Sequence, residues 1–336
     1  MIYITNPFFK VNYVFKELKF NFFNPQVNDN PVSSLTMLIV GVIILSLQDS
    51  LIKYMSNETS FWQLQFIRST GNILLLFLIA SITNGIRVLF PINWKPVYFR
   101  ALMMTTCMFC FFAASPKLSF AQMAAGLYTF PIFVSFLAMI FLKERIGIWR
   151  FFALILGSFG ALLILEPWSE TFTSLQFLPI MAGFFFACNI ILIRKYCREE
   201  SVMSLTLAVG VMFFVSASLG ILFFEYFYIE NIYREESPFV FIGWPLLTFI
   251  VFSFCLSCSI LNITGNMLLA KAYQTAESSW LAPMDYSYLV FATIWGKLFF
   301  GDWPSYSNIF GMFLIAFSGI LIAFREQIKI KNQLEK

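Results

Sequence analysis

Four ionisable residues stand inside stretches that are otherwise apolar: Asp49, Lys53, Arg68 and Asp285. A charge held in hydrocarbon is costly, so such residues are binding or coupling candidates by default. Asp49 and Lys53 are four residues apart in LQDSLIKY and share one helix face. Arg68, in FWQLQFIRS, belongs to the next apolar stretch. At 1.5 Å per residue, Asp49 lies about 9 Å and Arg68 about 12 Å below the same membrane face, so the two can meet across one helical hairpin. Two readings stay open. Either Arg68 binds an anionic or polar group of a solute, with Asp49 as its resting counter-ion, or the two form a structural ion pair in a dry bundle. Lys53 is long enough to snorkel to the headgroups.

Asp285 sits in WLAPMDYSY, two residues after Pro283 and near the middle of its apolar stretch. Proline removes a backbone donor and frees a carbonyl. GLYTFP, with Gly126 and Pro131, makes a similar break in an earlier stretch. Interrupted helices at corresponding places point to a transporter site. Tyr128, Tyr286 and Tyr288 add hydroxyls, and rings that could stack on a planar solute. As a lone midplane carboxylate, Asp285 could take up a proton and couple transport to it; the competing reading is a kink with a locally paired acid. Gln122, Asn189, Asn262 and Asn266 could contact solute or tie helices together.

Other chemistry finds no support in the residue types. Cys107 and Cys110, and Cys255 and Cys258, form two C-x-x-C pairs, but lipid burial disfavours thiolates and the chain has no histidine. The cysteines read as small packing residues, and no metal or other cofactor is expected. There is no GK[ST] phosphate loop and no G-x-S-x-G elbow, so no catalytic residue is assigned and the chain is not read as an enzyme.

The elements that must position these residues follow from hydropathy. Hydrophobic residues make up 59% of the 336 and charged residues 12%, with mean hydropathy +0.78. A soluble core could not bury so much apolar surface, whereas a bilayer is a solvent for it. A helix needs about 20 apolar residues to cross. Ten spans are predicted: 34–55, 61–82, 96–114, 119–142, 148–165, 175–193, 203–224, 244–269, 276–299 and 306–324.

Charge placement supports that count. With the N-terminus cytoplasmic, only Lys53, Lys117, Arg234 and Lys297 fall toward the outside, and Arg68 lies within a span. Every other Lys and Arg falls on the inner side, and a missed helix would scramble that alternation. Trp62, Trp168, Trp244 and Trp303 sit at outer ends and Trp94 and Trp149 at inner ends, as an interfacial belt. Residues 1–33, with Lys10, Lys16 and Lys19, read as a cytoplasmic tail and not a cleaved signal peptide. Residues 326–336 read as a cytoplasmic C-terminal tail. The expected location is the cytoplasmic membrane.

The chain also repeats itself. FLKER followed by ILGSFGALLIL is echoed by FFGDW followed by FLIAFSGILIA, placing Glu144 opposite Asp302 and Gly160 opposite Gly319. Five helices is an odd number, so the second copy is inverted in the membrane. The predicted fold is an all-α membrane protein of ten transmembrane helices in two inverted five-helix repeats, at 34–166 and 175–325.

On SLQDSLIKY, FWQLQFIRS and FLKERIGIWRFFALILGSFGALLIL, with FFGDWPSYSNIFGMFLIAFSGILIA as the second-half echo, the chain resembles the drug/metabolite transporter superfamily, in particular proteins with two EamA domains. Asp302 stands where the family usually has Glu. The resemblance implies a central cavity lined by spans one to four and six to nine, and transport of a small metabolite by exchange or ion coupling. The Asp-then-Lys pattern and Arg68 look closest to a branch that includes riboflavin and S-adenosylmethionine carriers. The expected partners are a small-molecule solute and membrane lipids, with a homodimer compatible; a net charge of +4 does not suggest nucleic acid. The alternative is a non-transporting membrane protein, an assembly partner or sensor, whose intramembrane polar groups would pair off and leave no cavity.

Overall fold

Short polar side chains start the helices. Ser60, with extended backbone, accepts from the Gln63 amide at 3.1 Å, and a helix runs from Phe61 to Ile82. Ser201 caps Val202–Tyr226 through the Met203 amide at 3.2 Å, and Thr248 caps Phe249–Gln274 through Val251 at 3.3 Å. Pro31 opens the first helix, where its missing N–H would have no partner in any case. The computed structural model describes residues 31–83, 85–115, 117–118, 120–143, 147–165, 175, 177–227, 234–235, 237–276, 281, 284–301, 305–307, 309–314 and 317–318, with only the backbone of 121, 150, 164, 165 and 286.

In chain order the helices are α1 Pro31–Tyr54, α2 Phe61–Ile82, α3 Trp94–Ala113, α4 Phe120–Leu127, α5 Phe130–Leu137, α6 Ile148–Leu165, α7 Phe177–Tyr196, α8 Val202–Tyr226, the single turn α9 Pro238–Phe241, α10 Phe249–Gln274 and α11 Ser287–Phe300. No strand occurs among the described residues. Among the described residues, seven helical stretches are long and apolar enough to cross a bilayer, and Phe151–Leu163 and Ser287–Phe300 are shorter apolar helices. The outward faces are apolar too: Leu246 and Phe249 are each 84% exposed, a surface that suits acyl chains and not water. The chain is an all-helical, multi-span membrane protein.

Most expected spans coincide with helices, and the departures have local causes. The eighth, expected at 244–269, forms as Phe249–Gln274. The Thr248 cap sets its start, and Lys271 and Gln274 are buried in the bundle, so their polarity does not end the helix. The ninth is helical only from Ser287, preceded by one tight turn at Met284–Tyr286. Of the tenth, residues 306–307, 309–314 and 317–318 are described as helical; Pro283, Glu144, Asp302, Gly319 and both expected tails up to 30 and from 326 lie outside the described residues.

The fourth span is broken, as GLYTFP predicts. Pro131 has no N–H to offer the Leu127 carbonyl, and the helix stops at Leu127 and restarts at Phe130. Thr129 closes the break by donating its hydroxyl to Gly126 O at 2.8 Å. Helix α7 fits the break through Gly183, where a Cβ would stand 2.6 Å from Leu127 O.

Helix α1 packs along α10, α3 along α7, and α2 along α8; α11 lies against α1 and α4, while α4 and α5 lie against α7. The α1–α10 crossing is tight. A Cβ on Gly41 would stand 2.6 Å from Leu269 Cδ1, and one on Gly265 2.6 Å from Leu45 Cγ. Small residues at such crossings let helix backbones approach in lipid, where no hydrophobic force drives association.

Candidate functional site

The two interrupted spans meet at one pair of rings. Tyr128 lies in the turn between α4 and α5, and Tyr288 in the first turn of α11. Their centroids are 4.4 Å apart and their planes 20° from parallel. From that stack the Tyr288 hydroxyl reaches α1 and donates to Asp49 Oδ2 at 2.8 Å. Gln48 Nε2 donates to the other oxygen, Oδ1, at 3.0 Å.

Arg68 is 1% exposed. Its Nη2 donates to Gln65 Oε1, three residues earlier on α2, at 2.5 Å. Its guanidinium carbon lies 5.4 Å from the ring centroid of Phe213 on α8, a cation–π contact. Nε and Nη1 have no hydrogen-bond partner among the described residues. No direct ion pair forms between Asp49 and Arg68, although the two lie close enough to interact electrostatically. Tyr288 and Gln48 occupy the carboxylate oxygens, while Arg68 turns to its own helix and to α8.

Asp49, Arg68, Tyr128, Tyr288, Asn262 and Asn266 all line one central cavity of about 40 Å³. That is room for water, far below the roughly 300–1,000 Å³ of a typical small-molecule site. Asn262 pairs its carboxamide with that of Asn72 on α2 at 2.9 Å, and Asn266 Nδ2 donates to Asn262 O at 2.9 Å. These two act partly as ties between and within helices while facing the cavity.

The remaining candidates lie elsewhere. Asp285 is 1% exposed and does not line the cavity. Its Oδ2 accepts from the Tyr273 hydroxyl of α10, and its Oδ1 has no partner among the described residues. Gln122 is half-buried outside the lining, and the backbone of Tyr286 falls in the turn before α11. Asn189 is buried on α7. Lys53 ties a bundle end, donating to Leu118 O at 2.6 Å beside Phe300. The six cysteines are free. The i, i+3 spacing could have flagged Gln65 as a neighbour of Arg68, and Gln48 directly precedes Asp49; nothing local points to Phe213, which arrives on α8, or to Tyr273, near the end of α10.

Both ends of the bundle are tied. At the end holding the start of α1, Glu200 accepts from the backbone amides of Ile92 at 2.9 Å and Asn93 at 2.7 Å. Gln274 donates to Cys197 O at 3.0 Å and Glu200 O at 2.8 Å, Arg194 donates to Gln274 O at 3.2 Å, and Ser34 pairs with Thr275 at 2.8 Å. At the other end Ser60, Trp62 and Gln63 donate to Gly243 O, Val240 O and Pro245 O at 2.8, 2.8 and 2.7 Å. Charged and amide groups thus line a small space between two sets of polar ties.

Residues 32–166 match the EamA-like transporter family. A riboflavin transporter of Vibrio cholerae is 27% identical over 211 residues, 63% of this chain and 64% of that protein, so the alignment spans just under two thirds of this relative's length. The pseudopaline exporter CntI of Pseudomonas aeruginosa is 22% identical over 301 residues, 87% of this chain and 96% of that protein. A solved crystal structure superposes with a TM-score of 0.68 over 88% of this chain and 98% of its own, at 11% identity, a likeness of fold alone.

Proposed function

Since the chain belongs to the EamA-like transporters of the drug/metabolite transporter superfamily, we propose that it is a secondary carrier moving a small organic solute across a bacterial cytoplasmic membrane by alternating access. The observation that carries this reading is the small cavity lined by Asp49 and Arg68 between two tied ends. A carrier must pass through a state closed on both sides, and enlarging this cavity by releasing one set of ties would admit a solute from that side.

The packing supports two inverted halves at 34–166 and 175–325. Taking the first five spans as one unit and the last five as the other, α1 corresponds to α7, α2 to α8, α3 to α10, and α4–α5 to α11. The α1–α10 contact then maps onto α7–α3, the α2–α8 contact onto itself, and α11–α1 onto α4–α5 with α7. The charge distribution supports cytoplasmic termini, which puts the Glu200–Gln274 ties on the cytoplasmic side.

Asp49, Arg68, Tyr128, Tyr288, Asn262 and Asn266 are the contacts proposed for the solute; Gln122 and Tyr286 flank them in sequence on the broken spans. Asp285, buried with Tyr273 and not in the cavity lining, is the proposed proton-coupling group. One relative is named a riboflavin transporter and another a pseudopaline exporter, which supports a small organic solute while differing in the solute itself. A non-transporting role predicts that polar groups pair off, and the unused donors of Arg68 favour the carrier. Proteoliposomes test the assignment: Arg68→Ala should slow solute exchange, and Asp285→Asn should lose uptake driven by a pH gradient. If Arg68→Ala exchanges solute at the parent's rate and Asp285→Asn keeps gradient-driven uptake, the proposed site is wrong.

A further inference from the structure

We infer that Arg68 receives a two-oxygen anionic group of the solute, a carboxylate or a phosphate, on one full edge of its guanidinium. The inference rests on the carrier reading above. A guanidinium offers five N–H donors in one plane. Nη2 shares one edge with Nε and the other with Nη1. Among the described residues its one bond, to Gln65, occupies one of these edges, and neither Nε nor Nη1 has a partner. Whichever edge Gln65 uses, the other keeps two parallel donors, the arrangement that fits a carboxylate or phosphate bidentately.

The charge points the same way. Arg68 is 1% exposed, lines the cavity, and makes no ion pair with Asp49, whose oxygens are covered by Tyr288 and Gln48. A guanidinium buried without a direct ion pair and with most donors idle is expensive, even with Asp49 in electrostatic range. Water can satisfy the hydrogen bonds but brings no opposite charge, and a neutral carbonyl brings one acceptor where the edge offers two donors. Phe213 lies against the cation, its ring centroid 5.4 Å from the guanidinium carbon, and supplies no acceptor for the idle N–H groups. The hydrogen bonds to Asp49 disperse its charge, which lessens repulsion of an anion placed beside Arg68.

Exchange in proteoliposomes of the full chain tests this. Separate batches are loaded with aromatic and aliphatic carboxylates, with the matching primary carboxamides, with nucleoside and sugar monophosphates, and with cationic amines. Isotope-labelled copies outside report exchange by mass spectrometry. The parent is expected to exchange acids and not their amides, and comparison of the carboxylate and phosphate batches says which oxyanion is taken. Arg68→Lys keeps the charge and loses the fork, so it should lower that exchange roughly tenfold to a hundredfold, the value of a charged hydrogen bond or two. Should the variant fail to fold, protection of the parent's Arg68 from phenylglyoxal by the exchanged acid, and not by its amide, replaces it. Exchange of amides or amines alone, or an Arg68→Lys variant as fast as the parent, overturns the inference and leaves the carrier reading standing. No exchange in any batch defeats both.

Discussion

The Tyr288 hydroxyl donates to the Asp49 carboxylate at 2.8 Å, across 239 positions of sequence. The bond joins α1 to α11 at the wall of the cavity, and the same tyrosine stacks on Tyr128 from the broken fourth span. One side chain therefore connects both interrupted helices to the acid of the first.

Tyr288→Phe removes that bond and leaves the ring stack in place. A hydrogen bond to a charged group is worth about 1.5–3 kcal/mol, so solute exchange is expected to fall about tenfold or more while the protein still elutes as a folded species. Exchange at the parent's rate would show that the Asp49–Tyr288 link is dispensable.

Glu200→Ala opens the end that holds the start of α1. The carboxylate takes two backbone amides from the loop before α3, and alanine leaves both unmet. Cys197 beside it is fully buried, and burial pushes its thiol up to about 11, keeping it in the unreactive protonated form. In a background lacking the other five cysteines, maleimide labelling of Cys197 should rise several-fold in the variant. Unchanged labelling would mean the ties do not control access.

Gly265→Ala and Gly296→Ala form a contrasting pair. A Cβ at Gly265 meets Leu45 at 2.6 Å, whereas one at Gly296 meets nothing within 4 Å. Overpacking costs about 1–3 kcal/mol, so the first variant should lower the thermal midpoint in detergent. The second should leave it unchanged or raise it slightly, alanine being the better helix former. Equal midpoints would contradict the close α1–α10 crossing.

Asp285→Asn separates coupling from binding. The acid is buried with one described partner, Tyr273, and lies outside the cavity lining. Uptake driven by an acid-outside pH gradient should be lost, while solute-for-solute exchange at equal pH persists. Loss of both would place Asp285 in the solute site; retention of gradient-driven uptake would remove it from coupling.

Some of the site was visible before any fold. Asp49, Arg68, Tyr128 and Tyr288 stand out as polar residues in apolar runs, and Pro131 predicts the break that brings Tyr128 to the cavity. The partners were not visible. Sequence spacing pairs Asp49 with Arg68 across the α1–α2 hairpin, yet the carboxylate bonds to Tyr288 and the guanidinium turns to Gln65 and Phe213. Depth along a helix follows from counting residues, but the direction a side chain faces depends on helix rotation and tilt.

The sequence by itself determined the helical, membrane-spanning class of the protein, because hydropathy acts segment by segment and backbone groups in lipid must be satisfied within each helix. It also located the charges that lipid would not tolerate without a purpose. Only the tertiary structure decided that Asp49 and Arg68 line one cavity without a direct ion pair and that Asp285 is not part of its lining. It also decided that hydrogen bonds tie the helices at both ends of the bundle. Those outcomes follow from long-range packing such as the Gly41–Gly265 approach of α1 to α10, which sets how each helix is turned and is written in no local stretch of the chain.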